Sequence, residues 1–277
     1  MTHAASVPTP TAAGPELVRY AFDDGLATLE LHAPERGNAL DLPLLQALEQ
    51  QVRRARTDDA RVVLLTAAGS AWCVGGDLGP VADTSEPGEL IDAMAESLHR
   101  SISELNRMDA VVVARVQGTA AGAGVPLAAA ADIVLAAESA RFTLAYTRIG
   151  FTPDGGSSLL TASLGLHRSL YLALLNPVLT ASEARSAGLV AEVHPDEEVE
   201  AATSRIVRAL LSGARDAQVG AKRLLRGTAL AAPEQAMRLE TLSIRRAAAS
   251  ADGREGVAAF LDKRRPSFPT TRPPGVA

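Results

Sequence analysis

A buried strand that runs into a glycine-rich turn and then a helix occurs twice in the middle of this chain, and that repetition limits the folds open to it. "RVVLLTA" (61–67) is short, branched and apolar, as a buried strand must be. It leads to "WCVGGDL" (72–78), a polar stretch, and a helix expected from about Leu90 to Met108. "VVVARVQG" (111–118) leads in the same way to "AAGAG" (120–124) and an Ala/Leu-rich helix; "DIVLAAE" (132–138) is a third strand, followed by the short "RFTLAY". Strand, turn and helix in this order predict an α/β fold of stacked β-β-α units. Ahead of them, "LVRYAFDD" and "LATLELHAP" flank Gly25 as a hairpin, and "DLPLLQALEQQVRRARTD" has its leucines at helical spacing.

From Thr180 onward strand signals nearly vanish and helical patterns take over, from "ASEARSAG" to "DGREGVAAFLDKRR". The expected organisation is a tail over 1–15, an α/β core over 16–195, a helical region over 196–265 acting as lid or oligomer interface, and a second tail over 266–277. The N-terminal segment has neither the basic nor the apolar region of a signal peptide. The longest apolar run, which starts at Val111, is interrupted by Arg115, Gln117, Pro126 and Asp132 and does not read as a membrane span.

The chain of 277 residues is 47% hydrophobic but only 3% aromatic, so close contacts between small side chains must carry its core. A net charge of −5 with scattered basic residues excludes a nucleic-acid footprint, which needs clustered Lys and Arg. The single cysteine, Cys73, can form neither an internal disulfide nor a zinc site, and it reads as a small buried hydrophobe. The five histidines lack ligand spacing, so no metal is expected, and the cytoplasm is the expected compartment.

The two glycine turns suggest a chemistry. Glycines after a strand let backbone N–H groups approach a ligand with no side chain in the way, and two such turns can aim two donors at one oxygen. That is an oxyanion hole, where one preorganised donor contributes on the order of 10²–10³ in rate. On spacing alone the same glycines serve equally well for close packing of helix on strand.

Five segments in order, "PERGNALDLPLLQAL", "WCVGGDL", "VQGTAAGAGVPLAAAADIVLAAESARFTLAYTRIGFTPDGG", "LTASEARSAGLV" and "REGVAAFLDKRRPSF", resemble the signatures of the crotonase, or enoyl-CoA hydratase/isomerase, superfamily. The resemblance runs from about Leu17 to Phe268. It implies an acyl-CoA thioester as ligand, its carbonyl held by the N–H groups of Gly76 and Ala123, and an enolate intermediate. It implies no cofactor beyond the coenzyme A of the substrate, and assembly as a homotrimer or a dimer of trimers. Ala39, Val74, Asp77, Leu78 and Gly122 fall in its binding motifs. Arg36 and Lys263 or Arg264 match its basic positions near the CoA phosphates. Trp72 and Tyr146 are candidates for the acyl pocket wall or for plain core; Asp77 and Asp132 also read as loop anchors.

The sequence departs from the family's hydratases at both of their catalytic glutamates, whose positions hold Pro126 and Tyr146. The remaining acid is Asp154, in "RIGFTPDGGSS", which resembles the turn of the family's phenylacetate-degradation isomerase branch. The resemblance implies double-bond isomerisation with Asp154 as single base, its carboxyl expected to rise in pKa beside Phe151, Tyr146 and the acyl chain. Asp between Pro and Gly-Gly is also a good N-cap or turn former. Three alternatives remain: a hydratase with an atypical site, a hydrolytic aryl-CoA dehalogenase in which His99 assists Asp154 as nucleophile, and an acyl-CoA-binding homologue without catalysis.

Overall fold

The structure, a computed structural model, describes residues 16–229 and 232–268. The segment expected as an N-terminal tail, 1–15, and residues 269–277 of the C-terminal one lie outside the described residues.

The hairpin forms as expected: β1 (Val18–Asp23) pairs antiparallel with β2 (Leu26–Leu31), and the turn between them places Asp24 and Gly25 at φ 42° and 82°. Helix α1 (Leu42–Thr57) is N-capped by Asp41, whose side chain accepts the Leu44 N–H at 2.8 Å. Then follow β3 (Val62–Ala67), α2 (Gly79–Asp83), α3 (Pro87–Arg107), β4 (Val111–Val116), β5 (Thr119–Ala121), α4 (Gly124–Ala129), β6 (Ile133–Ala137) and β7 (Arg141–Thr143). Beyond the turn that carries Asp154 come α5 (Leu160–Leu164), α6 (Leu166–Leu175), β8 (Leu179–Thr180), α7 (Ala181–Ser186), β9 (Glu192–His194), α8 (Val199–Ser212), α9 (Arg215–Ala229), α10 (Pro233–Ala248) and α11 (Ala251–Leu261).

The main sheet has the order β1-β2-β3-β4-β6-β9 and is parallel throughout except for the hairpin. After β4 and again after β6 the chain leaves this sheet and adds a short strand, β5 or β7, to a second sheet of order β5-β7-β8. Single bridges, Leu40 to Gly76 and Cys73 to Ala120, continue the small sheet one repeat further back. Successive β-β units are therefore stacked as the repetition in the sequence requires, and the loops that carry Gly75 and Gly122 lie against each other.

One large cluster of buried residues joins β2, α1, α3, β4 and the small sheet, with Leu29, Leu44, Leu48, Trp72, Ile102, Leu105 and Phe142 at its centre. A smaller cluster, with Val62, Val113, Leu135 and Val207, seats α8 on the main sheet. Helix α10 packs along α3. Asp132 anchors this region: it accepts the Val112 N–H at 2.8 Å and pairs with the buried Lys222 and with Arg226. Among the described residues no helix is long and apolar enough to cross a membrane.

Candidate active site

The two glycine loops are tied to each other, backbone to backbone. Cys73 donates its N–H to Thr119 O at 3.0 Å and accepts the Ala121 N–H at 2.8 Å. Gly75 (φ 97°) and Gly122 (φ 51°) meet across this contact, where a Cβ on either would stand 3.4 Å from the other's Cα. The neighbouring donors are all used: Gly75 N–H meets Cys73 Sγ, Asp77 N–H meets Leu40 O and Gly122 N–H meets Thr143 O. The N–H groups of Gly76 and Ala123 have no intramolecular acceptor among the described residues, and both residues line the same cavity.

Asp154 lines that cavity too. It sits on a turn that only glycine can follow: Gly155 and Gly156 have φ of 68° and 85°, and a Cβ on Gly155 would stand 2.9 Å from Leu98 Cδ2. The turn is held by its backbone. The Asp154 carbonyl accepts the Tyr146 hydroxyl at 3.0 Å and the Ser157 hydroxyl at 2.6 Å. Burial, with Asp154 and Glu240 nearby, pushes the Tyr146 phenol well above its ordinary pKa, so it stays protonated and keeps donating.

The Asp154 side chain caps no helix. Its Oδ1 is enclosed and lies 3.0 Å from His99 Nε2, in close ionic contact but without hydrogen-bond alignment. His99 Nε2 is also 3.6 Å from Oε2 of Glu240, an acid of α10 that is itself 6% exposed. Glu240 was not singled out by its sequence, although the signal exists: it stands beside the buried stripe of Met237, Thr241, Ile244 and Ala248, where a helix otherwise shows its apolar face. On the other side of the ring, His99 Nδ1 is 3.2 Å from Thr241 Oγ1, which donates its own proton to Met237 O. The ring thus has Nδ1 placed to donate to Thr241 Oγ1 and Nε2 in ionic contact with both carboxylates. Burial alone would lower its pKa, but the two carboxylates outweigh burial and push it up to about 9. His99, Asp154 and Glu240 offer ligand atoms within 4.8 Å of one another, the donor set of a metal site. Both Glu240 oxygens are already acceptors for backbone N–H groups, however, and the imidazolium takes the place between the carboxylates that a cation would use.

The cavity encloses about 260 Å³ and is walled by apolar side chains of α3 (Ile91, Met94, Leu98), of the loop before Asp154 (Tyr146, Phe151) and of the C-terminal helices (Ile244, Phe260). Of the residues singled out in the sequence, it brings together Gly76, Ala123, Asp154, Val74, Leu78, Gly122 and Tyr146, with His99 directly behind Asp154. Trp72 is placed elsewhere: it is fully buried in the core, and its Nε1 donates to Gly124 O at 3.1 Å, so it supports the second glycine loop and does not line the cavity. Ala39 is buried next to the wall residue Leu40 without lining the cavity. Pro126 backs the Asp154 turn from α4, close to the position a Gly155 Cβ would take. Arg36 pairs with Asp41 at 2.7 Å and with Asp77 at 3.3 Å, and Asp77 also accepts the Gly79 N–H. Lys263 is exposed just beyond α11, and Arg264 is bidentate to Glu255. None of these charged groups lines the cavity. The Cys73 thiol is enclosed, and burial pushes it up to about 12.

This arrangement has known counterparts. The enoyl-CoA hydratase/isomerase family model matches residues 21–271. A curated Rhodobacter capsulatus protein named "Probable enoyl-CoA hydratase" is 38% identical over 253 residues, covering 91% of this chain and 97% of the relative. The 1,2-epoxyphenylacetyl-CoA isomerase of Escherichia coli is 34% identical over 260 residues, covering 91% and 98%. The crystal structure of an enoyl-CoA hydratase from Mycobacterium avium subsp. paratuberculosis superposes with a TM-score of 0.84 at 32% identity, covering 91% of this chain and 98% of that one. With the stacked β-β-α units, the facing glycine loops and these matches along nearly its whole length, the chain belongs to the enoyl-CoA hydratase/isomerase family and has the crotonase fold.

Proposed function

We propose that the protein is an acyl-CoA thioester isomerase that moves a double bond through an enolate, with Asp154 as its only base. The observation that supports this reading is the meeting of one carboxylate and two unused N–H groups, those of Gly76 and Ala123, on a single apolar cavity. The thioester oxygen is held by the two N–H groups. The Asp154 carboxylate removes a proton from the carbon next to the carbonyl; the C–H bond breaks, its electron pair moves onto the thioester oxygen as enolate, and the proton resides on Asp154. Its return to the far carbon of the shifted double bond regenerates the carboxylate. No water takes part, which suits a site with no carboxylate in either place where a hydratase carries glutamate: one holds Pro126, and the other Tyr146, whose hydroxyl is engaged with Asp154 O. The E. coli relative is likewise named an isomerase.

The contact between His99 and Asp154 favours one second reading, in which Asp154 attacks an aryl-CoA as nucleophile and His99 serves as base for the hydrolytic step. A histidine held between two carboxylates and charged up to about pH 9 is a poor base at neutral pH, and this weighs for the isomerase. The non-catalytic reading loses support from the Asp154 side chain, which faces the cavity and caps no helix. The exposed side chains Leu166, Leu170, Leu174 and Leu175 give α6 an apolar outer face suited to a homotrimer or hexamer.

Incubation in D₂O with a 3-enoyl-CoA, followed by NMR, tests the reading. Deuterium uptake with migration of the double bond in the wild type, lost in Asp154→Asn, is the expected result. Absence of exchange with acyl-CoA still bound by calorimetry would overturn it for aliphatic substrates and turn attention to aryl halide thioesters.

A further inference from the structure

Glu240 is the residue of this site with no role so far, and it is the most firmly held. Its two oxygens accept the N–H groups of Gly156 and Ser158, both at 2.7 Å, the length of charge-assisted bonds. Those donors belong to the turn that begins at Asp154, so α10 grips the catalytic turn through one carboxylate. The same Oε2 that takes the Gly156 N–H lies 3.6 Å from His99 Nε2. Glu240 therefore reaches Asp154 by two routes, through the backbone of the turn and through the imidazole.

Buried like charges repel strongly, and the His99 imidazole, 3.0 Å from Asp154 and 3.6 Å from Glu240, is the group that stands between these two acids. When Asp154 takes a proton from substrate, an imidazolium paired with Asp154 alone would be left as an unpartnered buried charge. With Glu240 beside it the imidazolium keeps a counter-ion, so Asp154 can alternate between charged and neutral while His99 holds its own proton. We propose that Glu240 is a positioning residue of the isomerase: it fixes the Asp154 turn and supplies the permanent counter-charge that keeps His99 protonated through the proton-transfer cycle. The proposal rests on the reading of Asp154 as base, but its first readout needs no substrate.

The titratable groups that face His99 are Asp154 from the turn, at 3.0 Å, and Glu240 from α10, at 3.6 Å. Nearby charges on α1, α3 and α10 are paired among themselves, Glu49 with Arg100 and Glu96 with Arg238. A shift in the His99 titration therefore reports on the cluster.

The experiment is an NMR titration of ¹⁵N-histidine-labelled full-length protein, with kinetics of enoyl-CoA isomerisation alongside. In Glu240→Gln the His99 titration should fall by at least about one pH unit, the alkaline limb of kcat should move down with it, and kcat should drop about 10- to 100-fold while KM changes less than about threefold, as for a misplaced base. Glu240→Asp, which keeps the charge, should restore most of the His99 titration. An unchanged His99 titration in Glu240→Gln, or unchanged kcat, overturns the proposal. Should Glu240→Gln fail to fold, Asp154→Asn decides: His99 must still titrate clearly above its ordinary value with Glu240 as its remaining partner, and a return to about 6.5 overturns the proposal. Failure of the isomerase reading would appear instead as absent exchange with a normal His99 titration.

Discussion

Gly124 lies so close to Cys73 that a Cβ on it would stand 2.5 Å from the Cys73 carbonyl oxygen. That carbonyl is the acceptor for Ala121 and one of the two bonds that fix the glycine loops against each other. Gly124→Ala should therefore push the loops apart, cost about 1–3 kcal/mol of stability by overpacking, and lower kcat by roughly tenfold or more as the donors lose alignment. Urea unfolding and steady-state kinetics on one preparation check both effects; an active variant of wild-type stability would remove the loops' contact as the device that aims Gly76 and Ala123.

His99 makes stability depend on pH. Its value in the folded protein, about 9, lies above the ordinary 6.5, so its contribution is complete below about pH 6.5 and is lost as the pH rises through 9. Wild type should lose on the order of 3 kcal/mol relative to His99→Gln between pH 6 and pH 10. Denaturant midpoints for the two proteins across that range give the difference directly; parallel curves would mean that folding leaves the imidazole's affinity for its proton unchanged.

Trp72 supports and does not line. Trp72→Phe removes the bond to Gly124 O and leaves a small void, and it should cost about 2 kcal/mol while KM for any acyl-CoA stays within about twofold. A KM that rises steeply with little loss of stability would return the indole to the acyl pocket.

The apolar outer face of α6 predicts an assembly. Light scattering should give a mass of three or six chains of 28.7 kDa, and Leu170→Glu with Leu174→Glu should shift it toward one chain. A monomeric wild type would leave that face without a partner of its own kind.

Much of this could be read from the chain because the signals are local. The hairpin follows from Asp24–Gly25, the long helix from the spacing of Ile91, Met94, Leu98, Ile102 and Leu105, and the loops from glycines that must follow buried strands. What stayed hidden depends on distant partners. Strand β9 has three residues, too few for an alternating pattern, and exists because β6 offers it an edge. Trp72 precedes a donor loop, and a single indole reads the same whether it faces a cavity or a core. Glu240 looks like a stray acid on an apolar stripe until the Asp154 turn arrives beside it.

That last contact has a consequence for how the protein comes into being. His99 and Thr241 touch across 142 residues of sequence, and Glu240 reaches back 84 residues to Gly156. Loops of that length close late, after the strands and their glycine turns have found their neighbours. On the ribosome, the α/β part can therefore collapse and present an open cavity while the Asp154 turn still lacks its bonds to Glu240 and His99 its contact with that acid. The Asp154 carboxylate acquires its setting only when the last quarter of the chain emerges, so on the proposed reading the appearance of activity reports on the completion of folding.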